Sequence, residues 1–374
     1  MDLIELTQKL ISIRSYVDEE TNERELGEWI FGYLLGLGNF HVEKQTVKDD
    51  RFNVIAHDGH SPRLMFCCHM DTVLASGQWL HPRFAGGTTD RKIYGLGAVD
   101  MKGGTASLLH ALQSFAQTKG LFLLFDVDEE YDLKGILKFL EKYQITPELA
   151  VFPEPGDLEI HNGHRGLIEI SFRVRGATAH ASRPELGRNA ILGATRAVQI
   201  LTMRLGEYEH PVLGRSVCNL AHLHGGIDEE GRIGNQSNKI PDIAEVVLDL
   251  RPATPDLRAQ RVLDIIREQL ESNGFRMEQP ETRLDFGSLY ISQDNLRDFE
   301  SLVRQQLGEA KYADIRFDGF GEGQLVNERL GVNCVYFGPG PKDIAHQVDE
   351  FVEISQLEKA SAVYRALIAK YCAT

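Results

Sequence analysis

The sequence predicts an α/β protein: a mixed, mostly parallel sheet with helices on both faces, plus an inserted α+β domain with an antiparallel sheet. Three observations lead there. Short continuous apolar runs, such as Gly120–Val127 (GLFLLFDV) and Leu149–Phe152, match strands buried on both faces. Stretches of helical spacing alternate with these runs, the order expected of a parallel sheet. From 166 to 282 the pattern changes to polar/apolar alternation, in Leu167–Val174 (LIEISFRV) and Ala244–Leu250 (AEVVLDL), as in half-buried antiparallel strands.

Taken in order, Leu3, Leu6, Leu10 and Ile13 predict a first helix, and Leu26, Ile30 and Leu34 a second. Strands follow at Phe40–Val47, Asn53–Ala56 and Leu64–Cys67, the last running into His69-Met70-Asp71. Gly103-Gly104 opens a helix over Thr105–Phe115. Gly120–Val127 is a buried strand, Leu133–Tyr143 a helix, and Leu149–Phe152 a strand that stops at Pro153-Glu154-Pro155. In the inserted domain, helices are expected at Asn189–Leu205 and Leu257–Leu270, with a further strand at Arg276–Arg283. The tail returns to a buried strand at Val332–Phe337 and a helix at Ile354–Tyr371. The expected organisation is 1–165 and 283–374 as one domain, with 166–282 inserted as a lid or dimerisation domain.

Composition narrows the function classes. Hydrophobic residues make up 42% and charged residues 25%, ordinary globular usage. No apolar run approaches the roughly 20 residues of a membrane span. Met1–Leu10 puts acidic Asp2 and Glu5 where an export signal would be basic. The five scattered cysteines fit reduced thiols, and a cytoplasmic protein is expected. A formal charge of −15, with no run of basic residues, argues against a nucleic-acid partner. No membrane partner is expected either.

The chemistry gathers at strand ends, where open α/β sheets place their sites. His69 and Asp71 stand two apart in extended chain, so the carboxylate can approach the imidazole and fix its tautomer. Asp100 lies between Gly95-Leu96-Gly97 and Gly103-Gly104, whose glycines permit unusual backbone and close approach. Asp128-Glu129-Glu130 follows a buried strand, where like charges repel unless a cation neutralises them. Glu154 sits between two prolines, and His346 follows the Gly338-Pro339-Gly340 loop. Two histidines and several carboxylates form an N/O donor set for zinc, cobalt or manganese rather than calcium or magnesium. Five ligands exceed one tetrahedral ion and suit a two-metal site with a shared carboxylate.

The ordered motifs H-x-D (69–71), G-x-G-x-x-D-M-K-G-G (95–104), D-E-E (128–130), P-E-P (153–155), RGATAHASRPELG (175–187) and A-H-x-x-D-E (345–350) resemble the dinuclear zinc amidohydrolase family. That family includes acetylornithine deacetylase, succinyl-diaminopimelate desuccinylase, aminoacylase and carboxypeptidase G-type enzymes. The resemblance spans nearly the whole chain. It implies two divalent ions, Zn²⁺ or Co²⁺, with His69 and Glu154 on one, Glu130 and His346 on the other, and Asp100 bridging. It implies Glu129 as general base to a metal-bridged water, Asp71 behind His69, and a cis peptide at Asp100–Met101. His180 would stabilise the oxyanion, Arg251 would hold the substrate carboxylate, and Asn238 matches an Asn-x-Ile-Pro segment.

The family commonly has Gly where Cys68 stands; a small buried residue fits there, and a thiolate ligand is the alternative. Gly319–Gly323 lacks the desuccinylase Ser-Asp pair, and Phe337–Val352 resembles the acetylornithine deacetylases and their citrulline-directed relatives, as does His164-Arg165-Gly166. The implied activity is amide hydrolysis of a small N-acyl amino acid, first of all N-acetylornithine in arginine synthesis, by a homodimer in which His180 serves the partner's site. A desuccinylase or a metallo-dipeptidase or carboxypeptidase would use the same centre. A non-catalytic amino-acid-binding descendant is the rival of another class, and the intact Glu129 argues against it.

Overall fold

A computed structural model describes the chain at residues 1–74 and 76–373, and the chain divides into two compact units. The first comprises Met1–Gly163, Ile291–Asp314 and the chain from Gly321 onward. Its six-stranded sheet runs in the order His41–Lys48, Arg51–His57, Leu121–Asp126, Leu64–His69, Leu149–Phe152, Cys334–Tyr336. The two pairings of Arg51–His57 are antiparallel, and the other three are parallel. Leu64–His69, Leu121–Asp126 and Leu149–Phe152 are buried at every position, which is why they read as unbroken apolar runs.

Helices Leu3–Ser12, Gly103–Leu112, Arg297–Leu307 and Ile354–Cys372 pack together as one layer, and Lys134–Lys142 packs with Gly323–Leu330 in another. Asp2 and Glu5 form a reciprocal capping box at the first helix, closing backbone donors that a helix N-terminus leaves open. A small antiparallel sheet of Gly87–Thr89, Lys92–Tyr94 and Phe351–Glu353 draws the His346–Glu350 segment to the Gly95–Asp100 turn.

The second unit comprises His164–Tyr290 and Ile315–Phe320. Its sheet is antiparallel throughout, in the order Arg232–Gly234, Val217–Glu229, Ile243–Arg251, Leu167–Arg175, Arg276–Phe286. Alternate residues Ile168, Ile170, Phe172 and Val174 face a core shared with helices Ala190–Arg204 and Ala259–Glu271.

The expected boundary at 283 falls inside Arg276–Phe286. That strand stays paired with Leu167–Arg175 as far as Phe286 opposite Leu167, so the edge of the second unit moves to Tyr290. The second unit also reclaims Ile315–Phe320 from the tail. Val217–Glu229, 13 residues long, was not among the expected strands. Its outer partner, Arg232–Gly234, covers only its last three residues. Most of its length is therefore an edge with irregular burial and no clean alternation.

Candidate metal centre

Strand Leu64–His69 carries His69 to the carboxyl end of the sheet, where its side chain is 1% exposed. Its Nε2 lies 3.1 Å from Asp100 Oδ1 and 3.6 Å from Glu154 Oε1. His346 Nε2 lies 3.0 Å from Glu130 Oε1 and 3.2 Å from Asp100 Oδ2. Asp100 thus turns one oxygen toward each imidazole. The Asp100–Met101 peptide is cis. Glu154 reaches the cluster from Pro153, against which Gly104 packs so tightly that a Cβ there would come within 2.0 Å of the Pro153 carbonyl.

Asp71 does more than steady an imidazole. Its Oδ1 accepts the Glu129 amide at 3.1 Å and its Oδ2 the Glu130 amide at 3.0 Å. The His69 ring finds its nearer acceptor in the Asp71 backbone carbonyl, 3.1 Å from Nδ1, with the carboxylate at 3.6 Å. The carboxylate thus both approaches the ring and carries, on its two oxygens, the turn of Glu129 and Glu130.

Two anchors of the site escaped the sequence reading. Glu350, 1% exposed, accepts the amides of Gly97, Val99 and Asp100 at 3.2, 2.8 and 3.1 Å and so fixes the Asp100 turn. It stands in the A-H-x-x-D-E motif, the one signal that could have found it. Asp128, with φ of 73°, is not aligned with its two acidic neighbours. Its carboxylate meets Arg51 at 2.7 Å and Lys134 at 3.0 Å, and its amide donates to Glu23. Arg51 in turn forks onto the buried Glu23 at 2.8 and 2.5 Å.

Burial, reinforced by Glu130, Glu154 and Asp71, holds the Glu129 carboxyl well above the usual range, with His69 pulling the other way. Burial likewise pushes Glu154 up to about 8. Contacts with Asp100 and Glu130 push His346 up to about 10. This crowd of carboxylates around two imidazoles is the electrostatics of a cation site.

The spacing agrees. His69, Asp100 and Glu130 each offer a ligand atom within 4.8 Å of the others. Two N/O ligands of one tetrahedral zinc stand about 3.3–3.4 Å apart, and the imidazole–carboxylate distances here are 3.0–3.6 Å. The residues fit a metal pair. Cys68 is a buried free thiol beside this set, as a small residue would be.

The second unit holds the other three expected residues. His180 is exposed, and its Nδ1 accepts from the Ser182 amide at 3.2 Å and contacts Ser182 Oγ at 2.8 Å, which leaves Nε2 to carry the proton. The neighbouring chain segment brings Asn238 beside it, with the Ala181 amide on the Asn238 carbonyl at 2.9 Å. Arg251 ends its strand in a two-pronged pair with Asp249, at 2.8 and 3.0 Å, so its guanidinium is already engaged.

No helix among the described residues is long and apolar enough to cross a membrane. Residues 65–370 match the peptidase family M20/M25/M40. A protein of Aspergillus clavatus named as a probable carboxypeptidase is 31% identical over 393 residues, covering 98% of this chain and 88% of that protein. An acetylornithine deacetylase of Pectobacterium carotovorum is 29% identical over 396 residues, covering 99% and 97%. Among solved structures, a dinuclear metal binding peptidase of the M20 family from Bacillus subtilis matches with a TM-score of 0.69 at 17% identity, covering 98% of this chain and 96% of that one. The chain belongs to peptidase family M20/M25/M40, the metallopeptidases and amidohydrolases, and is an enzyme of that group.

Proposed function

We propose that this enzyme cleaves the amide of an N-acyl amino acid, first of all N-acetylornithine, with two divalent ions, zinc or cobalt, and that it serves arginine synthesis in the cytoplasm. Asp100 carries the reading: one oxygen faces each imidazole, and each imidazole has a carboxylate of its own. His69 and Glu154 would hold one ion, Glu130 and His346 the other, and Asp100 both. When bound, the ions supply Lewis acidity and lower the pKa of water.

Glu129 takes the proton from the attacking water and later delivers it to the departing amine. Its raised affinity for protons and its mount on Asp71 suit that task. His180, with its proton on Nε2, donates to the developing oxyanion. Arg251, held by Asp249 through Nε and Nη2, would offer its remaining N–H donors to the substrate carboxylate, and Asn238 would line the same region. Free buried thiols suit a reducing compartment, and the Pectobacterium relative supports acetylornithine as substrate.

A second reading, carboxypeptidase action on a peptide, is favoured by the Aspergillus relative, which has the higher identity. One panel separates them: kcat/KM for N-acetylornithine, other N-acyl amino acids, succinyl-diaminopimelate and dipeptides, with zinc or cobalt added. Faster turnover of a peptide moves the assignment to the second reading. No turnover of any of these overturns both. The homodimer belongs to the same proposal, His180 serving the partner's centre. Mixing Glu129→Gln with His180→Ala under subunit exchange should return partial activity, and none returns if His180 acts within its own chain.

A further inference from the structure

We propose a separate cation site in the first unit, formed by Cys67, Asp126 and Glu322 and suited to a divalent ion that accepts sulfur, such as zinc, cobalt or cadmium. Cys67 lies on strand Leu64–His69, Asp126 ends the adjacent strand, and Glu322 immediately precedes helix Gly323–Leu330. Their exposures are 1, 0 and 3%. Cys67 Sγ stands 3.9 Å from Asp126 Oδ1 and 3.6 Å from Glu322 Oε2. One ligand atom from each lies within 4.8 Å of the others. A thiolate sulfur and a carboxylate oxygen on one tetrahedral zinc are about 3.5–3.7 Å apart; Glu322 stands at that spacing from Cys67, and Asp126, at 3.9 Å, needs only a small movement to reach it.

A second observation points to a guest. Asp126 Oδ2 and Glu322 Oε1 are buried, and no N–H or hydroxyl donor among the described residues reaches either. The two carboxyls face one another. Elsewhere in this unit, buried carboxylates such as Asp71, Asp128 and Glu350 are filled by amides or cations. Acidic groups packed this closely hold either a shared proton or a cation between them, and sulfur in the set favours zinc-like ions over magnesium or calcium. An ion here would tie the strand that ends at His69 to the strand that leads into Glu129 and Glu130, a clamp behind the catalytic cluster rather than part of it.

The test titrates the chelator-treated wild-type protein with Cd²⁺ alone. It follows the ultraviolet thiolate-to-cadmium charge-transfer band and counts bound ions by mass spectrometry. One ion per chain should bind with that band. Cys67→Ala and Glu322→Gln should each lose the band and one ion, whereas Cys68→Ala and His346→Ala keep it. Since the band is also read in His346→Ala, failure of the two-ion reading above would not disturb it. The wild-type measurement needs no substitution to fold. Its failure to show the band, or persistence of the band in Cys67→Ala, overturns the site and leaves Asp126 and Glu322 sharing a proton.

Discussion

Replacing Arg51 with methionine asks how much of the Asp128–Glu130 turn is held by buried charge. The Arg51 side chain is 10% exposed, and it meets Glu23 and Asp128, whose side chains are 0 and 2% exposed. Removing one partner of such a buried pair costs about 3–5 kcal/mol, because the charge left behind loses its compensation. Arg51 serves two carboxylates, and only Asp128 keeps another cation, Lys134 at 3.0 Å. The expected loss is therefore in the upper half of that range, about 4–5 kcal/mol.

The sign with pH follows from Glu23, whose pKa burial already raises against the pull of Arg51. Without Arg51 it rises further, so the folded chain binds protons that the unfolded chain has released. Stability then falls as pH climbs through the folded-state value. The variant should lose roughly 1–2 kcal/mol more at pH 8 than at pH 5. Urea unfolding followed by fluorescence reads the right unit, since both tryptophans, Trp29 and Trp79, lie in the first. Adding Glu23→Gln to Arg51→Met should recover part of the loss by removing the orphaned charge. A single variant within about 1 kcal/mol of wild type, or a loss indifferent to pH, would refute the reasoning.

The remaining expectations are simpler. Glu129→Gln should keep its metal, counted by mass spectrometry, and lose about 10²–10⁴-fold in kcat; metal loss would make Glu129 a ligand. Asp71→Ala should weaken metal binding about 10–100-fold in a chelator competition, and unchanged affinity would reduce its two amide contacts to scaffolding. His180→Ala should cost about 10²–10³-fold in kcat with metal intact. Asp58 accepts the amides of His60, Gly120 and Leu121 and the Thr118 hydroxyl, which together hold its pKa below the usual value despite burial. Asp58→Ala should cost about 1–3 kcal/mol at neutral pH. Wild type should lose this advantage as acid titration passes below about pH 4, so the two denaturation curves converge there.

What the sequence made legible was whatever burial or a local turn dictates. Leu64–His69 and Leu121–Asp126 show themselves because strands covered on both faces tolerate only apolar residues. His69, Asp100, Glu130, Glu154 and His346 show themselves because polar groups at the ends of such runs need a reason. Val217–Glu229 did not, since an exposed edge with a register shift between Leu220 and His222 imposes no period. Arg51, Glu23 and Glu350 were silent for another reason. Each is charged and buried only because a partner arrives from far along the chain: Arg51 meets Asp128 across 77 residues, and Glu350 meets Asp100 across 250.

Once the partners are known, one rule sorts the carboxylates. A carboxylate whose oxygens are held by N–H donors works as an anchor, because those contacts fix its direction toward a turn or a cation. Asp71 on two amides, Asp128 on Arg51 and Lys134, Glu350 on three amides and Asp58 on three amides and a hydroxyl are of this kind. A carboxylate that turns an oxygen to the Nε2 of His69 or His346 is placed to share a cation with that imidazole, and Asp100, Glu130 and Glu154 are of that second kind. Asp71, anchored on two amides, meets His69 on Nδ1, the nitrogen opposite the one that Asp100 and Glu154 face, and the same distinction separates Glu130 from Asp128 within one acidic triplet. Asp126 and Glu322 satisfy neither description: one oxygen of each meets the Cys67 thiol, and the other is buried with no donor among the described residues. That is why cadmium bound at Cys67, rather than loss of activity, is the measurement that decides what those two acids are for.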